Sequence, residues 1–159
     1  MRYIESPTEQ RYSSATSLFL AGGITGCPDW QQEVVSMLFL KPVAIFNPRR
    51  KNFPIDDPTA SVKQIDWEFR YLRSCAAISF WFPCETLCPI VLYELGAWSM
   101  TSKPIFVGVH PDYKRKSDVE IQTSLVRKDV EVVYSLEDLV GQIVSWVNKE
   151  TFGGRLVDL

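Results

Sequence analysis

The sequence is poor in metal-binding side chains. His110 is its one histidine, and four cysteines complete the set of soft ligands. Cys84 and Cys88 are separated by three residues, while Cys27 and Cys75 belong to different predicted elements, so the paired spacing typical of zinc sites is missing. We therefore expect a protein without a metal or redox cofactor, whose chemistry depends on its own side chains.

The sequence also lacks an excess of charge and a long apolar run. Its formal net charge of −2 excludes the strongly basic surface that nucleic-acid-binding proteins use. Apolar runs such as 76–83 are far shorter than a membrane span, and residues 1–17 are too polar for a signal sequence. We expect a cytoplasmic protein with free thiols, no membrane contact and no nucleic-acid polymer as a partner.

The sequence does contain a regular alternation of short apolar runs and amphipathic segments. Its 159 residues, 46% of them apolar, suffice for one ordinary domain. Apolar runs predict five strands, at 18–21, 43–46, 76–82, 104–109 and 130–133. We predict a flexible N-terminal leader over residues 1–17, a catalytic α/β domain over 18–150 and a C-terminal tail over 151–159.

Helical patterns fill the intervals between these strands. Asp29 is placed to cap the first helix. A stripe with three-and-four spacing predicts that the second helix buries Val62, Ile65, Phe69 and Leu72. Strands that alternate with helices imply a doubly wound sheet of five parallel strands in the flavodoxin-like order 2-1-3-4-5, with helices on both faces.

Such a sheet binds its ligands at the carboxyl ends of the strands, beside the point where the strand order reverses. This rule selects the loops that follow the first three strands. Each candidate also has a purely structural interpretation: a glycine pair can simply form a turn, polar residues can lie on a solvated loop, and neighbouring aromatic rings on a strand face opposite ways, so at least one enters the core. The candidate substrate-binding residues are Gly22, Gly23, Asn47, Arg49, Trp81 and Phe82.

One carboxylate interrupts an otherwise apolar helix. Residues 88–98 begin with a Cys-Pro pair suited to a helix start and contain a single charged residue, Glu94. Burial of an unpaired carboxylate costs several kcal/mol or forces the group to take up a proton. Glu94 therefore pairs with a cation such as Arg70 or Arg73, points outward, or faces a cavity.

These features together resemble the nucleoside 2-deoxyribosyltransferase family, in particular its nucleoside 2-deoxyribosyltransferase-like branch. The likeness extends over residues 17–149 and is carried by the segments 19–24, 46–50, 64–68, 80–83 and 89–96. The resemblance implies a five-stranded parallel α/β fold, in agreement with the pattern above. It also implies cleavage of the N-glycosidic bond of a 2'-deoxynucleoside, with the deoxyribose held on a glutamate and then passed to another nucleobase.

Carried over residue by residue, the resemblance makes Glu94 the nucleophile and Glu68 its catalytic partner. Better-known members have Asp or Asn in place of Glu68 and close that segment with an Ala-Asp pair, where this chain has Ala76 and Ala77. The family also completes its pocket with residues of a neighbouring subunit near the entry to the fifth strand, where Asp129 stands. The resemblance thus implies a homo-oligomer with shared active sites.

The chemistry of such a reaction calls for two groups. A glycosidic carbon that loses its base develops oxocarbenium character, which requires a carboxylate at the sugar and an acid or donor at the base. We therefore expect a nucleoside 2'-deoxyribosyltransferase of nucleotide salvage that uses deoxynucleosides and free nucleobases. One alternative is an N-glycosidase that hydrolyses nucleoside 5'-monophosphates, because Arg49 and Arg50 could bind a phosphate. A second is a non-catalytic nucleotide-binding module, since this sheet serves many functions.

Overall fold

The computed structural model describes residues 1–10, 16–54 and 56–152. Within these ranges the chain forms six strands and five helices. The strands are β1 (Arg2–Glu5), β2 (Ser17–Gly22), β3 (Ala44–Asn47), β4 (Ala77–Phe82), β5 (Ile105–Val109) and β6 (Val132–Val133). The helices are α1 (Trp30–Met37), α2 (Ala60–Ser74), α3 (Pro89–Ser99), α4 (Lys116–Val126) and α5 (Leu136–Phe152).

The strands of the described residues form one parallel sheet in the order β1-β3-β2-β4-β5-β6. The order of β2 to β6 is the predicted doubly wound order, so the fold class is confirmed. The predicted number of strands was wrong, because the sheet has six strands rather than five. Residues 2–5, assigned above to a flexible leader, form β1 and pair with β3 from Arg2 opposite Ala44 to Glu5 opposite Asn47.

Helices cover both faces of the sheet. On one face, α1 and α5 pack through a cluster that includes Trp30, Val34, Leu139 and Ile143. On the other face, α2, α3 and α4 pack through Trp67, Tyr71, Val91, Leu95 and Val119. Asp29 caps α1 as predicted, because its carboxylate accepts a hydrogen bond of 3.1 Å from the backbone N–H of Gln32. Among the described residues, no helix combines the length and apolar character needed to cross a membrane.

The buried face of α2 differs from the predicted one. Leu72 is buried, but Val62, Ile65 and Phe69 are 68%, 65% and 58% exposed. The helix instead buries Trp67 and Tyr71, whose rings pack 4.4 Å apart between ring centroids. The stripe prediction failed because two aromatic residues with polar tips, spaced one turn apart, cover the sheet in place of the aliphatic residues.

The polar tips of α2 find their partners in the N-terminal segment. The indole N–H of Trp67 donates to the carbonyl of Thr8 at 2.9 Å. The hydroxyl of Tyr71 accepts from the backbone N–H of Gln10 at 2.8 Å. Arg70 forms an ion pair with Glu9 on the surface. Residues 8–10 are therefore bound to α2, and residues 2–5 to β3. The predicted tail beyond residue 152 lies outside the described residues.

Candidate active site

A pocket of about 280 Å³ opens where β2 and β4 end. This is the point at which the strand order reverses, because β2 pairs with β3 on one side and with β4 on the other. Its volume lies at the small end of the range of small-molecule sites, roughly 300–1,000 Å³. The lining residues come from β2 and its following loop, the turn after β3, α2, and the loop and first turns of α3: Phe19, Ala21, Gly22, Gly23, Ile24, Thr25, Pro48, Glu68, Thr86, Cys88, Pro89, Ile90, Val91 and Glu94.

Glu94 lies on the second turn of α3 and lines this pocket. Burial, and secondarily the negative charge of Glu68, raise its pKa to about 7. Neither arginine considered as its partner lies free for that role: Arg70 pairs with Asp66 and Glu9, and Arg73 lies over the ring of Phe69. Of the possibilities raised by the sequence, the structure shows Glu94 facing a cavity.

Glu68 reaches the same pocket from α2. Burial raises the pKa of its carboxyl group, and a hydrogen bond donated by Gln64 partly opposes that rise. This bond joins the amide nitrogen of Gln64 to Oε1 of Glu68 at 2.7 Å. Two carboxyl groups that share a poorly solvated pocket hold a proton between them more readily than two solvated ones. The pair therefore favours a state with one ionised carboxylate and one carboxylic acid. Because the charge of Glu68 raises the pKa of Glu94, the proton of this state lies on Glu94 in the free protein.

The glycine pair allows the backbone of β2 to approach the pocket floor closely. A Cβ atom at Gly22 would collide with the ring of Trp30 and stand 2.6 Å from the carbonyl oxygen of Trp81. At Gly23 it would lie 2.6 Å from Cγ of Pro83. The carbonyl of Gly23 also accepts hydrogen bonds from the side chains of Trp30 and Gln31. Both glycines are therefore required by close packing at the end of β2.

Asn47 and Arg49 lie beside the site but not among its lining residues. Asn47 is buried, accepts a 2.9 Å hydrogen bond from the backbone N–H of Arg49 and donates to the hydroxyl of Tyr3. The guanidinium of Arg49 donates to the carbonyls of Cys27 and Pro28 at 3.0 and 2.8 Å. Arg49 thus holds the loop before α1 in place, while Asn47 joins the end of β3 to β1.

The remaining predicted residues lie away from the pocket. Trp81 is buried on the face covered by α1 and α5, while Phe82 is buried on the opposite face with its ring 5.3 Å from that of Tyr113. Asp129 pairs with Arg127 at 2.7 Å in the loop that enters β6, at the end of the sheet opposite the pocket. Of the nine predicted residues, the pocket brings together Glu94, Glu68, Gly22 and Gly23.

Several pocket residues escaped the sequence-based prediction. Thr86 and Cys88 come from the loop that follows β4, and Cys88 has a left-handed backbone with φ of 47° at the start of α3. Burial raises the pKa of the Cys88 thiol to about 11, so it remains protonated. Gln64 was missed as well, although its place one turn before Glu68 is a spacing at which helical side chains meet.

The lining is acidic and otherwise neutral. Among the described residues that line the pocket, Glu68 and Glu94 carry carboxyl groups and none is basic. Within the described ranges, no group of three or more His, Cys, Asp and Glu side chains is arranged to hold a metal ion. The lining therefore disfavours an anionic ligand and offers carboxyl groups as its reactive side chains.

Comparison with known protein families gives a match over most of the sheet. A family model described as "Nucleoside 2-deoxyribosyltransferase like" matches residues 15–113, which include β2 to β5 and every lining residue of the pocket. No curated protein matches the chain. The matched region begins after β1 and ends before α4.

Proposed function

Because this chain belongs to the nucleoside 2-deoxyribosyltransferase-like family, we propose that it moves 2-deoxyribose between nucleobases through a covalent bond to Glu94. The observation that carries the proposal is the pair of carboxyl groups, Glu94 and Glu68, in one pocket at the switch point of the sheet. Their environments favour keeping one proton between them, and the charge of Glu68 places that proton on Glu94 in the free protein. The reaction then requires the proton to pass from Glu94 to Glu68 when the nucleoside binds, which leaves Glu94 ionised for attack. Glycoside cleavage by this route requires one carboxylate and one acid at the scissile bond.

In the first step, an ionised oxygen of Glu94 attacks C1' of the deoxynucleoside. The bond between C1' and the base nitrogen breaks, the electron pair leaves with the base, and the base receives the proton of Glu68. In the second step, a nitrogen of another nucleobase attacks C1', the ester bond to Glu94 breaks, and the proton of the incoming base returns to Glu68. Both glutamates end in their starting states, so no further reactant is needed.

The charge of the pocket supports a nucleoside rather than a nucleotide substrate. A 5'-monophosphate requires a fixed cation near the sugar. Among the described lining residues none is basic. Of the two cations considered for this role, Arg49 is bound to carbonyl groups of the loop before α1, and Arg50 lies over the ring of Phe53. The same carboxylates would repel a phosphate. These contacts favour the transferase over a nucleotide hydrolase.

We also propose that the protein is a homo-oligomer with shared active sites. The outer side of α3 exposes Ile90, Tyr93 and Met100, and a groove of about 510 Å³ separates α3 from α4. A helix that is apolar on all sides is normally buried. Asp129 could contribute to a pocket only in a neighbouring subunit, because within one chain it lies at the opposite end of the sheet.

The reaction can be tested with deoxyinosine and free adenine. For the transferase we expect deoxyadenosine to form, which chromatography detects. Release of hypoxanthine without a new nucleoside would indicate a hydrolase, and no change would favour a binding module. Hydrolysis alone would contradict our proposal, and the absence of any reaction would contradict it for purine deoxynucleosides.

The role of Glu94 has a separate test. Removal of a covalent nucleophile is expected to lower kcat by a factor of about 1,000 or more, so Glu94→Ala should lose transfer activity while its circular dichroism is retained. Glu33→Ala, at an exposed position on α1, is the matched control and should remain active. Mass spectrometry of the trapped enzyme should place the deoxyribosyl group on the peptide that contains Glu94. Turnover by Glu94→Ala close to that of the unmodified protein would exclude the mechanism.

A further inference from the structure

The amide of Gln64 is held by three hydrogen bonds. Its nitrogen donates to Oε1 of Glu68 at 2.7 Å and to the carbonyl oxygen of Pro48 at 2.7 Å. Its oxygen accepts from the hydroxyl of Ser6 at 2.7 Å. Because the carbonyl of Pro48 can only accept, the amide nitrogen must face Pro48 and Glu68, and the Ser6 hydroxyl bonds the oxygen that remains. All three partners thus agree on a single orientation of the amide.

We propose that Gln64 is a positioning residue that fixes the carboxyl group of Glu68 in the pocket, and that Ser6 holds Gln64 in that orientation. This inference rests on the proposed function, in which Glu68 delivers a proton to the leaving base. A general acid must hold its proton within hydrogen-bond reach of the acceptor, so a freely rotating carboxyl group would be a poor one. With Oε1 bound to Gln64, the other oxygen of Glu68 is left to carry and deliver the proton.

The support of this network begins at the edge of the sheet. Ser6 follows β1, is 3% exposed, and its backbone N–H donates to the carbonyl of Asn47 at 3.0 Å. Pro48 directly follows Asn47, the last residue of β3. The ends of β1 and β3 therefore hold the amide of Gln64 from two sides. Because the family match begins at residue 15, Ser6 belongs to a part of the chain outside it.

The hydrogen bond also acts on the proton affinity of Glu68. The titratable groups that face Glu68 in the pocket are Glu94 of α3 and the thiol of Cys88. Among the described lining residues, the loops after β2 and β3 contribute uncharged side chains and backbone. An N–H donor favours the ionised form of the carboxyl group it contacts. Loss of the Gln64 amide therefore raises the pKa of Glu68 further above its ordinary value.

The decisive variant is Gln64→Met, which keeps the length of the side chain and removes its amide. Gln32→Met is the matched control, because it makes the same change at an exposed position on α1. We expect Gln64→Met to lower kcat by a factor of about 10–100, the scale of loss from a displaced reacting group. KM should change little, because the proton is needed in the transition state rather than in substrate binding. Ser6→Ala should give a smaller loss of the same kind.

A pH profile separates positioning from a merely structural effect. In Gln64→Met the profile of kcat should move to higher pH, since Glu68 holds its proton more tightly. A loss of activity matched by a loss of folded protein, with an unmoved pH profile, would overturn the inference. If the unmodified enzyme is active, a kcat of Gln64→Met equal to that of the unmodified enzyme would also overturn the inference.

A second measurement does not depend on activity. The carboxyl carbon of Glu68 can be followed by NMR titration and assigned from its absence in Glu68→Gln. If the unmodified protein transfers no deoxyribose, the proposed function fails, but a higher titration midpoint of Glu68 in Gln64→Met would still support the hydrogen bond. A midpoint equal to that of the unmodified protein would overturn the positioning role in either case.

Discussion

The side chain of Glu94 is a carboxyl group in a largely apolar pocket, where burial raises its pKa to about 7. In the reaction proposed above, the same environment would affect folding and catalysis in opposite ways. Desolvation makes the ionised form costly in the folded protein, but it would also leave the carboxylate weakly solvated for attack on C1'. The position is therefore one at which we expect activity and stability to conflict.

Replacement of Glu94 by glutamine should reveal this conflict as a pH-dependent gain in stability. A carboxyl group with a raised pKa contributes fully to stability below its unfolded pKa, near 4.5, and that contribution is lost as pH rises through about 7. Glutamine has no charge to bury, so Glu94→Gln should be more stable by roughly 2–3 kcal/mol at pH 8 and nearly unchanged at pH 4.5.

Thermal unfolding at the two pH values measures this difference. At pH 8 the gain corresponds to a rise in Tm of about 5–10 °C for a chain of this size. Glu33→Gln, at an exposed position on α1, should show no such pH dependence. An equal change in Tm of Glu94→Gln at both pH values would contradict burial as the cause.

At the scale of single residues, the sequence identified the unusual carboxylate Glu94 more readily than it predicted the contacts of the polar side chains around the pocket. Glu94 was recognisable because it is the one charged residue of an apolar helix. Asn47 and Arg49 follow a strand as binding residues do, yet they bond to the backbone and to Tyr3. The direction of a loop side chain depends on partners distant in sequence, and β1 was not predicted. The spacing of Gln64 and Glu68 on α2 was visible in the sequence, but the contact of Gln64 with Ser6 depends on β1 as well.

At the scale of elements, α2 shows why a periodic pattern does not by itself identify the buried face. Val62, Ile65 and Phe69 have the spacing of a core stripe, but the helix buries Trp67 and Tyr71. These two rings fit the sheet because their polar tips bond to residues 8 and 10 of the N-terminal segment. The periodicity of a helix shows where its apolar residues lie. It does not show that a segment distant in sequence will form hydrogen bonds with the indole of Trp67 and the hydroxyl of Tyr71.

The end of α2 is held by a single side chain from another element. The ammonium group of Lys103 donates to the carbonyls of Leu72, Arg73 and Cys75 at 2.7, 2.9 and 2.6 Å. These carbonyls belong to the last turn of the helix, where the backbone leaves acceptors unpaired and the helix dipole favours a cation. Lys103 thus joins the carboxyl end of α2 to the start of β5.

We predict that Lys103→Met lowers the free energy of unfolding by roughly 2 kcal/mol, because charge-assisted hydrogen bonds to the helix end are lost. Urea unfolding at neutral pH measures the change, and Tm should fall by about 4–8 °C. Lys128→Met, at an exposed lysine, is the control and should stay within about 0.5 kcal/mol of the unmodified protein. An effect of Lys103→Met no larger than that of the control would show that water replaces the ammonium group without cost.

At the scale of the whole molecule, the order of the central strands was predictable because few topologies satisfy the rules for strands that alternate with helices. The edge strand β1 was not. Only Ile4 of its four residues is buried, so it has neither the apolar run of a central strand nor an alternation long enough to recognise. The position of β1 also affects the candidate site, because Ser6 follows β1 and donates a hydrogen bond to Gln64, which contacts Glu68.

The two helical layers differ in how many apolar side chains they expose to solvent. The layer formed by α2, α3 and α4 exposes apolar side chains on every helix: Val62, Ile65, Phe69, Ile90, Tyr93, Met100, Ile121, Leu125 and Val126. Single exposed apolar residues are ordinary, but an apolar surface repeated on neighbouring helices is typical of an interface. The pocket opens on this side of the sheet, between α2 and α3. A second copy of the chain that covered this layer would therefore also lie close to the candidate site.

We predict that Met100→Lys weakens this association. Met100 is 77% exposed at the carboxyl end of α3, where a lysine suits the helix dipole and should not lower the stability of the subunit. Sedimentation velocity should show the unmodified protein as a dimer or larger assembly and Met100→Lys at a lower mass, with transfer activity reduced in parallel if neighbouring subunits complete the pocket. Leu40→Lys makes the matching change after α1, at an exposed leucine of the other layer, and should leave the mass unchanged. A monomeric unmodified protein would contradict the proposed oligomer. Equal masses for the two variants would show that the interface lies elsewhere.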